Sequence, residues 1–193
     1  MKTFLLLLII CLPPAAFAQG ATMFGQNNSA PQPNLYWESD YGVTGSPASA
    51  WIPRVGAITL SQGTAGSRPT VTASAFGATT GLTFDGSADL MTYTGQAITR
   101  TGSASLAVVF KTGVSVTGPF VLVAQADSAA NNDYWEFGIN ASGKLYVSSN
   151  ATGTTLTIEG STVLSTATAY NVILCYDGTD YYLELDGVEE NPL

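Results

Sequence analysis

A regular alternation of short apolar runs and turn residues limits this chain to folds built from β-strands. From Leu35 onward, runs rich in Val, Ile, Thr, Tyr and Phe are separated by Gly, Asn, Asp and Ser at intervals of about ten residues. No segment shows sustained apolar spacing of 3.6 residues between helix caps, and 20 Gly with 9 Pro further disfavour helices. The pattern predicts an all-β protein in which two antiparallel sheets form a sandwich.

Alternation within the runs predicts which side chains face the core. In the run 134–139, Trp135, Phe137 and Ile139 share one side, while Tyr134 and Glu136 share the other. The dipeptide Asp186-Gly187 is typical of a tight type I′ hairpin turn. The strands predicted in this way are 57–60, 70–73, 81–84, 90–93, 103–111, 120–126, 134–139, 144–149, 154–158, 170–176 and 181–186.

The N-terminus has the three parts of a secretory signal peptide. A short positive region with Lys2 is followed by the apolar run 4–12, two prolines, and small residues at Ala16 and Ala18. We expect cleavage after Ala18 and hence a secreted, extracellular protein. The polar segment 19–34 is predicted to be a flexible leader before a single domain at 35–193.

Charge and composition argue against several classes of function. Without Lys2, five of the six basic residues remain against 14 acidic ones, which makes the net charge −9. This negative charge argues against a nucleic-acid partner, since nucleic acids demand clustered Lys and Arg. We also expect no membrane insertion, because no later stretch is apolar for long enough to form a transmembrane helix. The chain has no His, and Cys175 is the single cysteine left after cleavage. The usual general base, a Ser-His-Asp triad and a thiolate metal cluster are thereby excluded.

Several motifs, in order, resemble the laminin-G-like branch of the concanavalin A-like lectin/glucanase superfamily. Each motif is weak alone, and the resemblance rests on their order across residues 35–187. The motifs are Leu35-Tyr-Trp-Glu-Ser-Asp-Tyr-Gly-Val-Thr44, Ser67-Arg-Pro-Thr70 with Gly81-Leu-Thr-Phe-Asp-Gly86, Ser103-Ala-Ser-Leu-Ala-Val-Val-Phe110, the paired runs within 134–146, and Tyr170-Asn-Val-Ile-Leu-Cys-Tyr-Asp-Gly178 with the run 181–187.

The resemblance implies a jelly-roll sandwich that binds glycans or proteins, in some members with a calcium ion at the rim. The family continues past the last hairpin with further strands, whereas this sequence stops at Leu193. By that comparison we expect the domain to lack its last strands, either because the chain is a fragment of a longer protein or because these strands are dispensed with. A missing strand would leave an unpaired sheet edge, open to self-association or to strand addition by a partner.

One carboxylate motif deserves comparison with the glycosidases of the superfamily. Glu184-Leu-Asp-Gly-Val-Glu189 has the Glu-x-Asp-x-x-Glu spacing of the retaining glucanases, whose carboxylates alternate along one strand. Here Gly187 predicts a turn, which would place Glu189 on the opposite arm of a hairpin. We therefore expect no catalytic residues, and a carboxylate-dependent glycosidase is the minority hypothesis.

Outward-facing aromatic residues form the predicted ligand site. Aromatic faces stack on sugar rings, and carboxylates accept hydrogen bonds from sugar hydroxyls. Ordinary surface tyrosines, which strands favour in any case, would produce the same pattern. The predicted ligand-binding residues are Tyr134, Glu136, Tyr146, Tyr182 and Glu184.

No cofactor is required by this sequence, and calcium is the one candidate ion. Carboxylate and amide oxygens in loops suit a hard cation. Turn formation explains the same residues equally well. The candidate calcium ligands are Asn131, Asp133, Asp177 and Asp180.

The function expected from these observations is a secreted, non-catalytic carbohydrate-binding or adhesion module whose partner is a glycan or a surface protein. The alternative is a structural or assembly protein of a cell surface or virion, in which the sandwich serves as an interaction surface. The low proportion of charged residues, 10%, suits either role.

Overall fold

The computed structural model describes residues 4–11, 35–94, 103–126, 134–151 and 154–190, with 4–11, 151 and 154 described as backbone only. Within these ranges the chain is all-β, apart from one short 3-10 turn at Ala65–Ser67. The strands are β1 Phe4–Cys11, β2 Leu35–Glu38, β3 Val43–Thr44, β4 Ala50–Trp51, β5 Leu60–Ser61, β6 Thr70–Phe76, β7 Thr79–Phe84, β8 Ala104–Lys111, β9 Phe120–Ala126, β10 Tyr134–Ile139, β11 Lys144–Ala151, β12 Thr154–Val163, β13 Ala169–Tyr176, β14 Tyr181–Leu185 and β15 Val188–Glu189.

The largest sheet has eight strands, and every pairing in it is antiparallel. Its order is β15-β14-β13-β8-β1-β7-β6, with β2 also paired to β1. The long strand β8 lies between β13 and β1. Its apolar sequence fits this interior position, because an interior strand is hydrogen-bonded along both edges and covered on its faces.

A second sheet of four strands has the order β12-β11-β10-β9. The turn between β10 and β11 is closed by Asn140, whose side-chain oxygen accepts hydrogen bonds from the backbone N–H groups of Ser142 and Lys144. Gly143 in this turn has a φ of 77°, which a residue without a Cβ adopts easily. A small sheet of three short strands, β3-β4-β5, completes the fold.

The core lies between the large sheet and the four-stranded sheet. Buried side chains of both belong to one apolar cluster, an arrangement consistent with a sandwich. Trp37 and Trp135 are almost fully buried in this cluster. The cluster residues whose side chains have no exposed surface are Ala48, Trp51, Leu82, Phe110, Phe137, Ile139 and Leu145. All three tryptophans of the chain therefore pack in the core, and for Trp135 this confirms the side predicted from alternation.

Most predicted strands are confirmed, and two of them, 120–126 and 134–139, agree residue for residue with β9 and β10. The prediction of a strand at 90–93 is wrong, since only a single bridge joins Thr92 to Ser61. The predicted strand 57–60 is also wrong in its extent, because β5 starts at Leu60. Both errors have the same cause: apolar residues suit a strand, but a strand also needs a partner along its whole length.

The predicted hairpin at Asp186-Gly187 is confirmed. Both residues have positive φ angles, 50° and 85°, as a type I′ turn requires. Glu184 and Glu189 are direct cross-strand partners in the hairpin, so Glu189 lies on the opposite arm from Glu184. The Asp186 carboxylate accepts a hydrogen bond from the backbone N–H of Asn171 at 2.8 Å.

The apolar N-terminal run forms strand β1 in the large sheet. The predicted signal peptide covers these same residues, and its removal stays a prediction. Residues 12–34, which include the predicted cleavage site and leader, lie outside the described residues. Across the ranges that the structure does describe, no helix has the length and apolar character needed to cross a membrane.

Candidate ligand-binding face

The candidate site is the outward face of the four-stranded sheet, on strands β10, β11 and β12. Because Trp135 and Phe137 of β10 are buried in the core, Tyr134 and Glu136 emerge on the other side of the sheet. On β11 the buried Leu145 and Val147 likewise leave Tyr146 on this side. Three of the five predicted ligand-binding residues, Tyr134, Glu136 and Tyr146, therefore share one face.

The ring of Tyr146 lies over Gly138, its cross-strand partner. A Cβ atom at position 138 would be only 2.9 Å from Cε1 of that ring, so the glycine makes room for it. The Tyr146 hydroxyl donates a hydrogen bond to Oε1 of Glu136 at 3.1 Å. Burial, together with the negative charge of Glu136, raises the pKa of Tyr146 to about 12. The phenol is thus a neutral donor that is held in place at neutral pH.

A row of polar side chains continues across the face from the tyrosines. The Tyr134 hydroxyl lies 3.4 Å from Oγ of Ser148, and the same Oγ lies 3.4 Å from Oγ1 of Thr157. The amide nitrogen of Asn150 donates to Oγ1 of Thr155 at 3.0 Å. We call this set the hydroxyl face, and it consists of Tyr134, Glu136, Gly138, Tyr146, Ser148, Asn150, Thr155 and Thr157.

The hydroxyl face can offer neutral donors and acceptors and the Glu136 carboxylate next to an aromatic ring. Glu159, the cross-strand partner of Tyr146, places a second carboxylate beside that ring. Ser148 and Asn150 are buried, with 7% and 8% of their surface exposed, whereas Thr157 is exposed. An ion pair between Lys144 and Glu159, with 3.7 Å between Nζ and Oε1, lies along β11 and β12. Such a surface suits an uncharged ligand with many hydroxyl groups more than it suits an ion.

Tyr182 and Glu184 do not join this group. They lie on β14 in the large sheet, whereas the other three predicted residues lie in the four-stranded sheet. The Tyr182 hydroxyl donates to Oδ2 of Asp177 at 3.3 Å. The five predicted residues therefore form two groups on different sheets.

Asp177 closes a turn between β13 and β14. Its Oδ1 atom accepts hydrogen bonds from the backbone N–H groups of Asp180 and Thr179, both at 2.8 Å. These bonds lower the pKa of Asp177. The hydrogen bonds of the turn account for the short distance between Asp177 and Asp180 in the fold, and calcium binding there stays a prediction. Asn131 and Asp133, the other two predicted calcium ligands, lie outside the described residues.

Sequence reasoning missed Gly138, Ser148, Asn150, Thr155 and Thr157. Alternation along β11 was a usable signal for Ser148, since it shares a face with Tyr146 two residues earlier. The threonines of β12 could be assigned only from the register, which pairs Ser148 with Thr157 and Asn150 with Thr155. In the described parts of the chain, no three His, Cys, Asp or Glu side chains are grouped so as to hold a metal ion.

Comparison with known proteins gives no relative. No protein-family model, curated protein sequence or solved structure matches the chain.

Proposed function

We propose that this protein is an exported, non-catalytic carbohydrate-binding module of concanavalin A-like, laminin-G-like jelly-roll fold. Its ligand lies on the hydroxyl face. The observation that carries this proposal is the fixed ring of Tyr146, seated over Gly138 and hydrogen-bonded to Glu136, at one end of a row of hydroxyl groups.

The geometry suits a sugar because it combines an aromatic surface with neutral hydrogen-bonding groups. A pyranose ring presents an apolar face that stacks on an aromatic ring, and its hydroxyls exchange hydrogen bonds with serine, threonine and asparagine. Glu136 accepts the Tyr146 hydroxyl with one oxygen, which leaves its second oxygen for a ligand hydroxyl. Because the tyrosine is already held, little side-chain entropy is lost on binding.

A glycan array tests this proposal directly. We expect the protein to bind a subset of neutral glycans, and Tyr146→Ala to weaken that binding at least tenfold, or about 1.4 kcal/mol. Tyr146→Phe keeps the ring and removes the hydrogen bond to Glu136, so it should have a smaller effect. Tyr182→Ala is the matched control, because this tyrosine is 36% exposed on the other sheet and should not affect binding.

Two results would contradict the proposal. Equal affinity of wild type and a folded Tyr134→Ala/Tyr146→Ala variant would place the ligand elsewhere. Release of reducing ends from β-glucans by the wild type, lost in Glu184→Gln, would show a glycosidase in place of a binding module. A thermal melt of each variant establishes that the loss of binding is not a loss of folding.

A further inference from the structure

Strand β1 occupies the middle of the large sheet and is paired along both edges. On one side it runs antiparallel to β8 over six register pairs, from Leu5 with Lys111 to Cys11 with Leu106. On the other side it pairs first with β7, over residues 4–6, and then with β2, over residues 8–11. Without β1, the edge of β8 and the facing edges of β7 and β2 would have no strand between them.

The sequence predicts that this strand is removed on export. Residues 4–11 form the apolar part of the predicted signal peptide, and cleavage after Ala18 would leave a chain that starts at Gln19. Strands two places apart in a sheet are separated by about 9.6 Å, so the gap would be one strand wide. Its backbone N–H and C=O groups would need new partners, because unpaired buried groups cost about 1–3 kcal/mol each.

We propose that in the exported protein this gap is an acceptor slot for an extended, apolar segment of a separate polypeptide. We define the slot by its edges, β8 on one side and β7 with β2 on the other. The incoming segment lies antiparallel to β8 and spans about eight residues, the length of β1. Strand addition of this kind gains its affinity from the backbone ladder and its specificity from alternate side chains.

The residues along the slot define what the incoming segment must be. On the core side of β8, Leu106, Val108 and Phe110 are at most 2% exposed. On the opposite face, Ser105 and Ala107 are buried too, at 3% and 5%. A strand placed between such neighbours is apolar on both faces at its centre, as the eight residues Phe-Leu-Leu-Leu-Leu-Ile-Ile-Cys of β1 are. A charged or hydroxyl-rich segment would lose its hydration there.

The test uses the exported chain purified from the medium, with its N-terminus read by mass spectrometry. The probe is a synthetic peptide of residues 4–11 flanked by lysines for solubility, with Cys11→Ser and Leu8→Cys. The acceptor is Val109→Cys in a Cys175→Ser background, because Val109 is the register partner of Leu8. A disulfide requires Cα atoms within about 7 Å, a distance that direct cross-strand partners satisfy.

Asn171→Cys in the same background is the matched control. Asn171 is the partner of Val109 on the side away from the slot, so it lies two strands from the peptide. We expect at least tenfold more disulfide with the cysteine at 109 than with the cysteine at 171. A peptide that also carries Leu6→Pro should cross-link poorly, because proline cannot complete the ladder of an interior strand.

Four results would overturn the proposal. The first is equal cross-linking of the peptide to the cysteines at 109 and 171. The second and third are an exported chain that folds as a monomer without taking up the peptide, or that forms a stable homodimer to which the peptide does not bind. The fourth is an exported chain that still begins at Met1. If the exported chain precipitates alone, soluble recovery should rise when the peptide is present during refolding, and no rise would also count against the slot. A variant with cleavage blocked by Ala18→Arg retains β1, so its Val109→Cys form should not cross-link.

Discussion

Glu190 lies between the large sheet and the four-stranded sheet, with its backbone N–H bonded to β14 and its buried carboxylate bonded to β12. Removal of the carboxylate should destabilise the fold measurably. The residue is only 3% exposed. Oε2 accepts a hydrogen bond from the backbone N–H of Thr162 at 2.7 Å, and Oε1 accepts one from the Thr162 hydroxyl at 2.7 Å. The Ser161 hydroxyl donates a weaker bond to Oε2 at 3.3 Å. Through its backbone N–H, Glu190 also bonds to the carbonyl of Leu183 in β14, at 2.8 Å.

The expected loss in the free energy of unfolding follows from these contacts. A hydrogen bond to a charged group contributes about 1.5–3 kcal/mol, and there are two short ones. Because Thr162 and Ser161 are themselves exposed, water can replace part of what the carboxylate supplies. We therefore expect Glu190→Ala to cost about 2–3 kcal/mol. Glu190→Gln keeps the shape and one acceptor oxygen, so it should cost about half as much.

Urea denaturation followed by tryptophan fluorescence measures both values. The control is Glu189→Ala, since Glu189 is the preceding residue and is exposed, and a surface change of this kind stays within about 0.5 kcal/mol. A loss for Glu190→Ala no larger than that of the control would refute the reasoning. It would mean that the link between the sheets adds nothing to their packing.

Three further predictions concern other parts of the fold. Gly138→Ala should lower the free energy of unfolding by about 2–4 kcal/mol, because the new Cβ would meet a backbone carbonyl oxygen at 2.2 Å. Gly63→Ala is the control in the same urea assay, and it should leave the free energy of unfolding unchanged because the space around Gly63 is open. Cys175 should react slowly with iodoacetamide at pH 8, because burial raises the pKa of its thiol to about 11. At pH 8 only about one thiol in a thousand is then ionised, and the thiolate is the reactive form. Alkylation at the rate of an exposed cysteine would contradict this prediction. Hydrogen bonds from backbone N–H groups, with that of Ala88 contributing most, lower the pKa of Asp85 in the folded protein. The ionised Asp85 therefore stabilises the fold above the pKa of the unfolded chain, about 3.9. This stabilisation is lost as the pH falls through the lower pKa of the folded protein. Asp85→Asn should therefore lower the melting temperature at pH 7, and its melting temperature should depend less on pH in the acid range. If the melting temperatures of wild type and variant changed in parallel with pH, the hydrogen bonds to Asp85 would not have the proposed stabilising effect.

The sequence was informative wherever a structural signal is local. Strands β9 and β10 follow from apolar residues bounded by Gly, Pro and Asn, and the hairpin at 186–187 follows from two adjacent residues that tolerate positive φ. Alternation also placed Tyr134 and Glu136 correctly on the outer side of β10, and Tyr146 correctly on the outer side of β11. Each of these conclusions depends on one short run of neighbouring residues, which a sequence displays in full.

The errors concern which strands lie next to each other. Alternation shows that Tyr182 and Glu184 share a face of their own strand, but it carries no information about the sheet to which that strand belongs. The structure places them beside β13, where Tyr182 pairs with Cys175 and Glu184 with Ile173. The same lack of long-range information hid the threonines of β12, whose place on the hydroxyl face depends on the pairing of β12 with β11.

Gly138 shows how a requirement of the backbone can create a feature of the hydroxyl face. A Cβ at this position would meet the carbonyl oxygen of Phe120 at 2.2 Å and the ring of Tyr146 at 2.9 Å. The ring could turn away, but the carbonyl belongs to strand β9 at an irregularity in its pairing with β10, and it cannot. The close approach of β9 and β10 therefore requires glycine at position 138. The space that the ring of Tyr146 occupies is a consequence of that requirement. The position of the Tyr146 ring is thus already fixed in the chain itself. Under the proposed function, such a preformed aromatic surface would favour affinity because less order must be created on binding.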